Sequence, residues 1–455
     1  MEYIKALGLF LRAVFTYCFS KESNHKYYLA GKKLFSLSFR YSENQKHSFV
    51  FFYKTFVKSL LLKKTDFNTA FTKYSDGGVY FYDNTPGEVI GEFWQDYEKM
   101  HLAHIGYFSK VTVNGAVWKN RLLGYFNVSD KIAQVIFLFL LSIFLTPFAI
   151  INKSRASIGL MFFEFVEMVN LLKIVKKNKI DTLFYYSIYE KDSDICAIAL
   201  QKAGVFVIKV SSSTPLKFWN QIIIADKLVV NTFQQLEETK VFKNTILAKE
   251  IEFWGPDETV SVFGRYTKDM YEMNKNAIGY YSSASYVRAL EKDLGIYNTS
   301  SGESVTMTYL AEYIKTHPGI RLVVFPHPRE KNEKYRQQMI EYYKRYFDGL
   351  NYTLMLDVRP SAYYFEEVNV GIAFYSSVIF ERLYYGFKSM LFMPESSNVH
   401  LTELSNGEMC ASSKEELFAK IDMFLPMTNT EYFKFVGAVS PILNKLTGIE
   451  EKVAQ

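Results

Sequence analysis

The 455-residue chain has only three cysteines, at positions 18, 196 and 410, and none shares a short CxxC spacing. That argues against a zinc ribbon or a disulfide-stapled scaffold and fits a reducing compartment. Histidine is scarce as well, with seven in all. His101 and His104 stand three apart, a spacing that can share one helix face, but no HExxH string or acidic cluster accompanies them, so a structural role is expected. The glycine signatures of several enzyme classes are missing. No GxGxxG follows a first strand, no GxxxxGK[ST] occurs, and no GxSxG occurs. A dinucleotide fingerprint, a phosphate-binding NTPase loop and a nucleophile elbow are therefore not expected.

What is present is aromatic and unevenly charged. Hydrophobic residues make up 49% and charged residues 22%, which argues against disorder. The length allows two to four domains at roughly 100–200 residues each. Aromatics reach 17%, and 33 of them lie in residues 1–150. A nucleotide bias that raises Phe, Tyr, Lys, Asn and Ile together explains a high level throughout, but not this N-terminal surplus. Residues 1–75 also hold 13 Lys/Arg against four Asp/Glu, whereas the whole chain is only +6. A basic block points to an anionic surface, and without a nucleic-acid-binding signature the expected partner is a membrane surface and not nucleic acid. Residues 1–23 lack a clear cleavage site, and Lys5 and Arg12, seven apart, suit one face of a membrane-facing amphipathic helix. Residues 132–151 are twenty consecutive uncharged residues between Lys131 and Lys153. That length suits either a membrane span or anchor, or a buried helix whose end is set by Pro147.

From residue 160 onward, strand-like and helix-like stretches alternate. Strands are expected at 181–186, 205–210 and 226–230, and after a linker at 256–275 again at 277–281, 321–326, 352–357, 368–374 and 388–393. This alternation predicts βαβ units and parallel sheets. Earlier in the chain, HSFVFFY (47–53) reads as a strand and the following KTFVKSLLLKK as a strand-or-helix surface segment. The expected division is an N-terminal domain at 1–255 containing the apolar segment, the linker at 256–275, a second domain at 276–425, and a helical tail at 426–455.

Residues suited to chemistry fall after strands. In FPHPRE (325–330), two prolines fix the backbone around His327, and Arg329 follows. The pair offers donors to a phosphate, or the prolines merely stop the strand. In FYSSVIFERLYYG, Ser376 and Ser377 stand between a strand and a helix, where hydroxyls and free N–H groups receive anions, and Glu381 lies one turn on, within reach of a ribose diol. Ordinary helix capping explains one of the two serines equally well. Ser282 and Ser283 in YYSSASY occupy the first strand–helix loop of the same domain. Candidate general bases are Glu190 and Asp192 in the loop after the 181–186 strand, and Asp76 in YSDGG. A solvated acidic loop and a plain turn are the alternatives. The one DxD string, Asp192–Asp194, opens a helix of the first domain, and no metal site and no cofactor are expected.

The HP of FPHPRE together with the SS of FYSSVIFE resembles bacterial GT-B glycosyltransferases that use CMP-activated acidic sugars, the sialyl-, polysialyl- and Kdo transferases. The match covers roughly residues 277–395, and more loosely 180–245. The resemblance implies an α/β fold with two Rossmann-like domains facing a cleft, beside the aromatic, basic N-terminal part. It implies that His327, Ser376 and Ser377 hold the CMP phosphate and that Glu381 holds the ribose. The family's acid pair followed by Gly has its nearest counterpart in Ser75-Asp76-Gly77, which has Ser for the first acid. The function so implied is sugar transfer from a CMP-sugar donor to a glycan or lipid-linked glycan acceptor in capsule or lipopolysaccharide synthesis, in the cytoplasm at the inner face of the membrane. YSSVIFE followed by KSMLF is also similar to CDP-glycerol glycerophosphotransferases, which makes a CDP-polyol phosphotransferase the first alternative. A non-catalytic, membrane-docked protein with a degenerate GT-B fold is the second.

Overall fold

The computed structural model describes residues 2–19, 25–35, 48–60, 71–73, 79–83, 128–151, 155–186, 194–211, 222–253, 270–271, 275–290, 299–357, 359, 361–374, 376–394, 407–440 and 442–444. Asp76, His101, His104, Glu190 and Asp192 lie outside the described residues, as does most of the 256–275 stretch. The chain divides into two compact units, residues 1–231 with 235–257, and residues 232–234 with 258–455.

The first unit is built on a six-stranded sheet. Strands β1 (Phe71–Lys73), β2 (Val79–Asp83), β3 (Thr182–Tyr186), β4 (Phe206–Val210), β6 (Lys227–Val230) and β8 (Glu250–Phe253) are neighbours in that order. All pairs are parallel except β1 with β2. Two short strands, β5 (Ile223–Ile224) and β7 (Ile246–Leu247), form a separate parallel pair. The strands follow chain order without a reversal among the described residues. The described strands of this unit therefore include no switch point, which only a reversal creates.

Among the described residues, six helices precede or join this sheet: α1 (Glu2–Phe19), α2 (His25–Phe35), α3 (Phe49–Leu60), α4 (Val128–Ile151), α5 (Arg155–Asn178) and α6 (Asp194–Lys202). A seventh, α7 (Phe233–Val241), follows β6. In α1, Tyr3, Ala6, Phe10, Ala13 and Val14 are buried, a helical period that turns Lys5 and Arg12 outward. From Phe49 on, the HSFVFFY segment is helical and not a strand. Phe52, Thr55 and Ser59 repeat at three and four residues and face the core, a period a strand cannot satisfy. Pro147 does not end α4, which continues to Ile151. A proline removes one backbone bond, and the Thr146 hydroxyl donates to the Ser142 carbonyl at 2.8 Å in the same turn.

The second unit is a six-stranded, wholly parallel sheet: β9 (Ala277–Tyr281), β10 (Arg321–Phe325), β11 (Tyr352–Leu354), β12 (Val370–Ala373), β13 (Lys388–Phe392) and β14 (Cys410–Ala411). Their spatial order is β11-β10-β9-β12-β13-β14. The order counts down to β9 and then up from β12, so the doubly wound reversal lies between those two strands. Strand β11 stops at Leu354, short of the expected 357. The helices are α8 (Ser285–Leu290), α9 (Thr299–Thr316), α10 (Pro328–Lys331), α11 (Glu333–Phe347), α12 (Val378–Tyr384), α13 (Lys414–Phe424) and α14 (Asn429–Val436). Strands β9, β10, β12 and β13 are buried nearly throughout, as a sheet covered on both faces requires. The tail belongs to this unit, because the buried Tyr432 of α14 hydrogen-bonds to the backbone of Ser389 in β13.

Candidate functional site

Three loops leave the carboxyl ends of three adjacent strands at the reversal: Ser282–Ala284 after β9, Pro326–His327 after β10, and the one holding Phe374, Ser376 and Ser377 after β12. A chain cannot fill the crevice between strands whose connections run to opposite faces, which is why ligands bind at such points.

The loop after β9 is organised by an acid that the sequence did not single out. Glu303 of α9 is fully buried. Its Oε1 accepts from the Tyr280 hydroxyl at 2.7 Å, the Ser282 hydroxyl at 3.0 Å and the Ser283 N–H at 2.7 Å. Its Oε2 accepts the Ser285 N–H at 2.8 Å. Ala284, between them, has a φ of 59°, a left-handed conformation that non-glycine residues rarely adopt. Ser282 and Ser283 stand in the first strand–helix loop, where a sugar or phosphate donor would meet this unit. Instead the Ser282 hydroxyl and the Ser283 N–H are turned inward onto Glu303, which fills the anion position at the start of α8 itself. Next door, Gly302 lies so close to Phe374 that a Cβ would fall 2.4 Å from its ring, so α9 touches the loops after both β9 and β12.

The loop after β10 is held by a second buried acid. Glu330 accepts the His327 N–H at 2.6 Å and the Tyr343 hydroxyl at 3.1 Å, and the Ser282 hydroxyl also bonds to it. Burial, and then the carboxylate of Glu303, push its pKa up to about 8. The sign follows from linkage. In the unfolded chain Glu330 loses its proton near 4.5, whereas the folded protein keeps it until about 8. Its contribution to stability is therefore full below 4.5 and is lost as pH rises through 8. Glu330→Gln, which cannot ionise, is expected to flatten that decline and to gain on the order of 1 kcal/mol at pH 8 and above. Urea unfolding at pH 5 and pH 8.5 checks this, and an equal change at both would refute it.

His327 is pinned as the two prolines suggest. Its Nδ1 accepts the Arg329 N–H at 3.1 Å, so the neutral ring carries its proton on Nε2. Burial, and then the charges of Arg288, Arg329 and Lys331, hold its pKa down at about 3. The half-buried imidazole is thus a neutral Nε2–H donor in a cationic setting, suited to an anionic oxygen. Arg329 is exposed beside it.

In the loop after β12, Ser376 and Ser377 are both partly exposed. Ser377 is the helix N-cap but makes no side-chain capping bond. The Ser376 hydroxyl accepts the Val378 N–H only at 3.4 Å. Capping of α12 therefore does not consume the two hydroxyls. Glu381 is partly exposed one turn into α12.

In the first unit the described part of the acidic loop is Asp194, which is structural. It is fully buried, with Lys209 at 2.7 Å and Lys33 at 2.9 Å. Burial alone would raise its pKa, but Lys209 and Lys33 hold it below the usual carboxylate value. Among the described residues no group of three or more His, Cys, Asp or Glu is arranged to hold a metal ion.

No protein-family model and no curated protein matches the chain. Solved structures match it loosely. UDP-GlcNAc 2-epimerase from Neisseria meningitidis bound to UDP-GlcNAc aligns at 12% identity and a TM-score of 0.39, over 63% of this chain and 80% of that one. MurG from Acinetobacter baumannii aligns at 12% and 0.37, over 62% and 76%. An O-GlcNAc transferase variant from Thermobaculum terrenum aligns at 11% and 0.35, over 98% and 81%. Superpositions this loose carry no argument about chemistry, and the weight rests on the strand order and loops of the chain itself.

Proposed function

We propose that the protein is a glycosyltransferase of GT-B type whose second unit binds a nucleotide-activated sugar, with CMP as the activating group, and whose acceptor is a glycan. The observation that carries this is the strand reversal between β9 and β12, with the His327 loop and the Ser376–Ser377 loop both at the carboxyl end of that sheet.

The chemistry follows from charge. As the sugar leaves, the bond from its anomeric carbon to the phosphate oxygen breaks, and negative charge gathers on the nucleotide phosphate. His327 Nε2–H donates to that oxygen, and Arg288, Arg329 and Lys331 supply a positive field. Ser376 and Ser377 donate from the start of α12, and Glu381 accepts from the ribose hydroxyls. Donors fixed before the reaction stabilise developing charge without reorganising, which is where most of the rate gain arises. The oxygen of an acceptor hydroxyl bonds to the anomeric carbon as the phosphate leaves, and its proton goes to a carboxylate, for which Asp76, Glu190 and Asp192 are the candidates.

The test is transfer from a panel of CMP-sugars, UDP-sugars and CDP-polyols to a set of glycan acceptors, with products identified by mass. A transferred sugar supports the proposal, whereas a transferred polyol phosphate would replace it with phosphotransfer. His327→Ala is expected to lower kcat by about 100-fold with the fold intact, the usual effect of removing one oxyanion donor. Full transfer by that variant would overturn the assignment of His327.

A further inference from the structure

We infer that helices α1, α3 and α4 form one face that docks flat on an anionic lipid bilayer, without crossing it. Helix α4 from Lys131 to Ile151 is long and apolar enough to span a membrane, yet it is packed on one side only, with 28% of its most apolar stretch buried. The buried side runs through Gln134, Leu138, Leu141, Leu145 and Ala149, at steps of three and four. The opposite side carries Ile132, Ile136, Phe139, Leu140, Ile143 and Ile150, between 47% and 61% exposed. An apolar stripe about 28 Å long at 1.5 Å per residue is not left open to water without a partner.

The choice between lying on the bilayer and spanning it is settled by the buried side. Gln134 Nε2 donates to the Ser59 carbonyl of α3 at 2.7 Å, and Arg155 Nε donates to the Ala149 carbonyl at 3.0 Å. Tyr3 of α1 stacks on Phe137 at 5.1 Å. The helix is thus tied to the protein from its first turns to its last. A span would strip these contacts and place Gln134 in hydrocarbon, where an unpaired polar group costs several kcal/mol.

The neighbouring helices extend the same surface. Phe15 of α1 meets Phe144 of α4 at 5.3 Å and Phe19 at 5.8 Å, and both Phe15 and Phe19 are exposed. On α3, Val50, Tyr53 and Val57 are exposed. Among the exposed described side chains of the three helices, every charged one is basic: Lys5, Arg12, Lys54, Lys58 and Lys131. Apolar side chains set among lysines match the acyl boundary and the anionic headgroups of one leaflet, with each basic residue near the surface contributing about 1 kcal/mol. A second copy of this chain would bring the same positive charges against one another, which favours lipid over self-association.

The test is flotation of the full chain with phosphatidylcholine vesicles, with and without phosphatidylglycerol. Binding is expected to the anionic vesicles, to weaken with salt, and to be released by alkaline carbonate. Phe139→Asp with Ile143→Asp, both exposed and so compatible with folding, is expected to weaken binding about 100-fold or more. Lys54→Glu with Lys58→Glu should remove the preference for phosphatidylglycerol while circular dichroism stays unchanged. Wild-type flotation by both pairs, retention after carbonate, or no flotation together with a concentration-dependent dimer in sedimentation would each overturn the inference. None of these outcomes depends on the sugar-transfer proposal.

Discussion

Glu303→Ala is expected to lower the unfolding free energy of the second unit by about 3–5 kcal/mol. The carboxylate accepts four hydrogen bonds, two of them from backbone N–H groups, in a place closed to water. An orphaned buried donor costs about 1–3 kcal/mol, and a hydroxyl can turn elsewhere more readily than an amide can. The Ser283 and Ser285 amides therefore dominate the loss. Glu303→Gln separates shape from charge. Its amide group would face a donor on one side, so it should recover only part of the loss. Urea unfolding of the three proteins reports the result, and a Gln variant as stable as wild type would show that two acceptor oxygens at this position are not what holds the loop. Glu303 also raises the pKa of Glu330, so both replacements should shift the pH dependence of stability assigned to Glu330 to lower pH.

The sequence carried the sheet of this unit and the sites where its loops turn, but not what holds those loops. The alternation of apolar runs with helical stretches marked β9, β10, β12 and β13, because strands buried on both faces must be apolar throughout. His327 was visible because proline acts on its immediate neighbours, a local effect. Glu303 was not, because it stands about 20 residues from the amides it caps and nothing nearby in the chain marks it. The serines of YYSSASY were seen for the same local reason as His327, but their direction is decided by that distant acid. The segment at 47–53 misled because five adjacent aromatic or branched residues, 49–53, suit a strand, and only the spacing of Phe52, Thr55 and Ser59 against α5 makes it a helix. The order of the strands, on which the proposed donor site depends, is a property of long-range pairing and has no local signature.

Gly371→Ala is the second replacement with a large expected cost, about 3 kcal/mol or more. Gly371 lies in the middle of β12, and a Cβ there would fall 2.3 Å from Nε of Arg382. The arginine cannot retreat. It is fully buried, with Nη1 donating to the Tyr281 hydroxyl at 2.9 Å and the Phe365 carbonyl at 3.0 Å, and Nη2 to the Lys388 carbonyl at 3.1 Å. The rings of Tyr281, Phe365 and Phe387 surround its guanidinium at 5.0–5.5 Å. Tyr281 ends β9 and stacks on Phe325, the last residue of β10, at 4.5 Å. A shift of Arg382 would thus pass directly into the two strand ends that carry the Ser282 and His327 loops. Arg382→Met tests the coupling, since a flexible, uncharged side chain can yield to the new methyl. Alone it should cost several kcal/mol, because three buried acceptors lose their donor. Combined with Gly371→Ala, the loss should be smaller than the sum of the two. A strictly additive double mutant would show that the glycine answers to something other than the arginine.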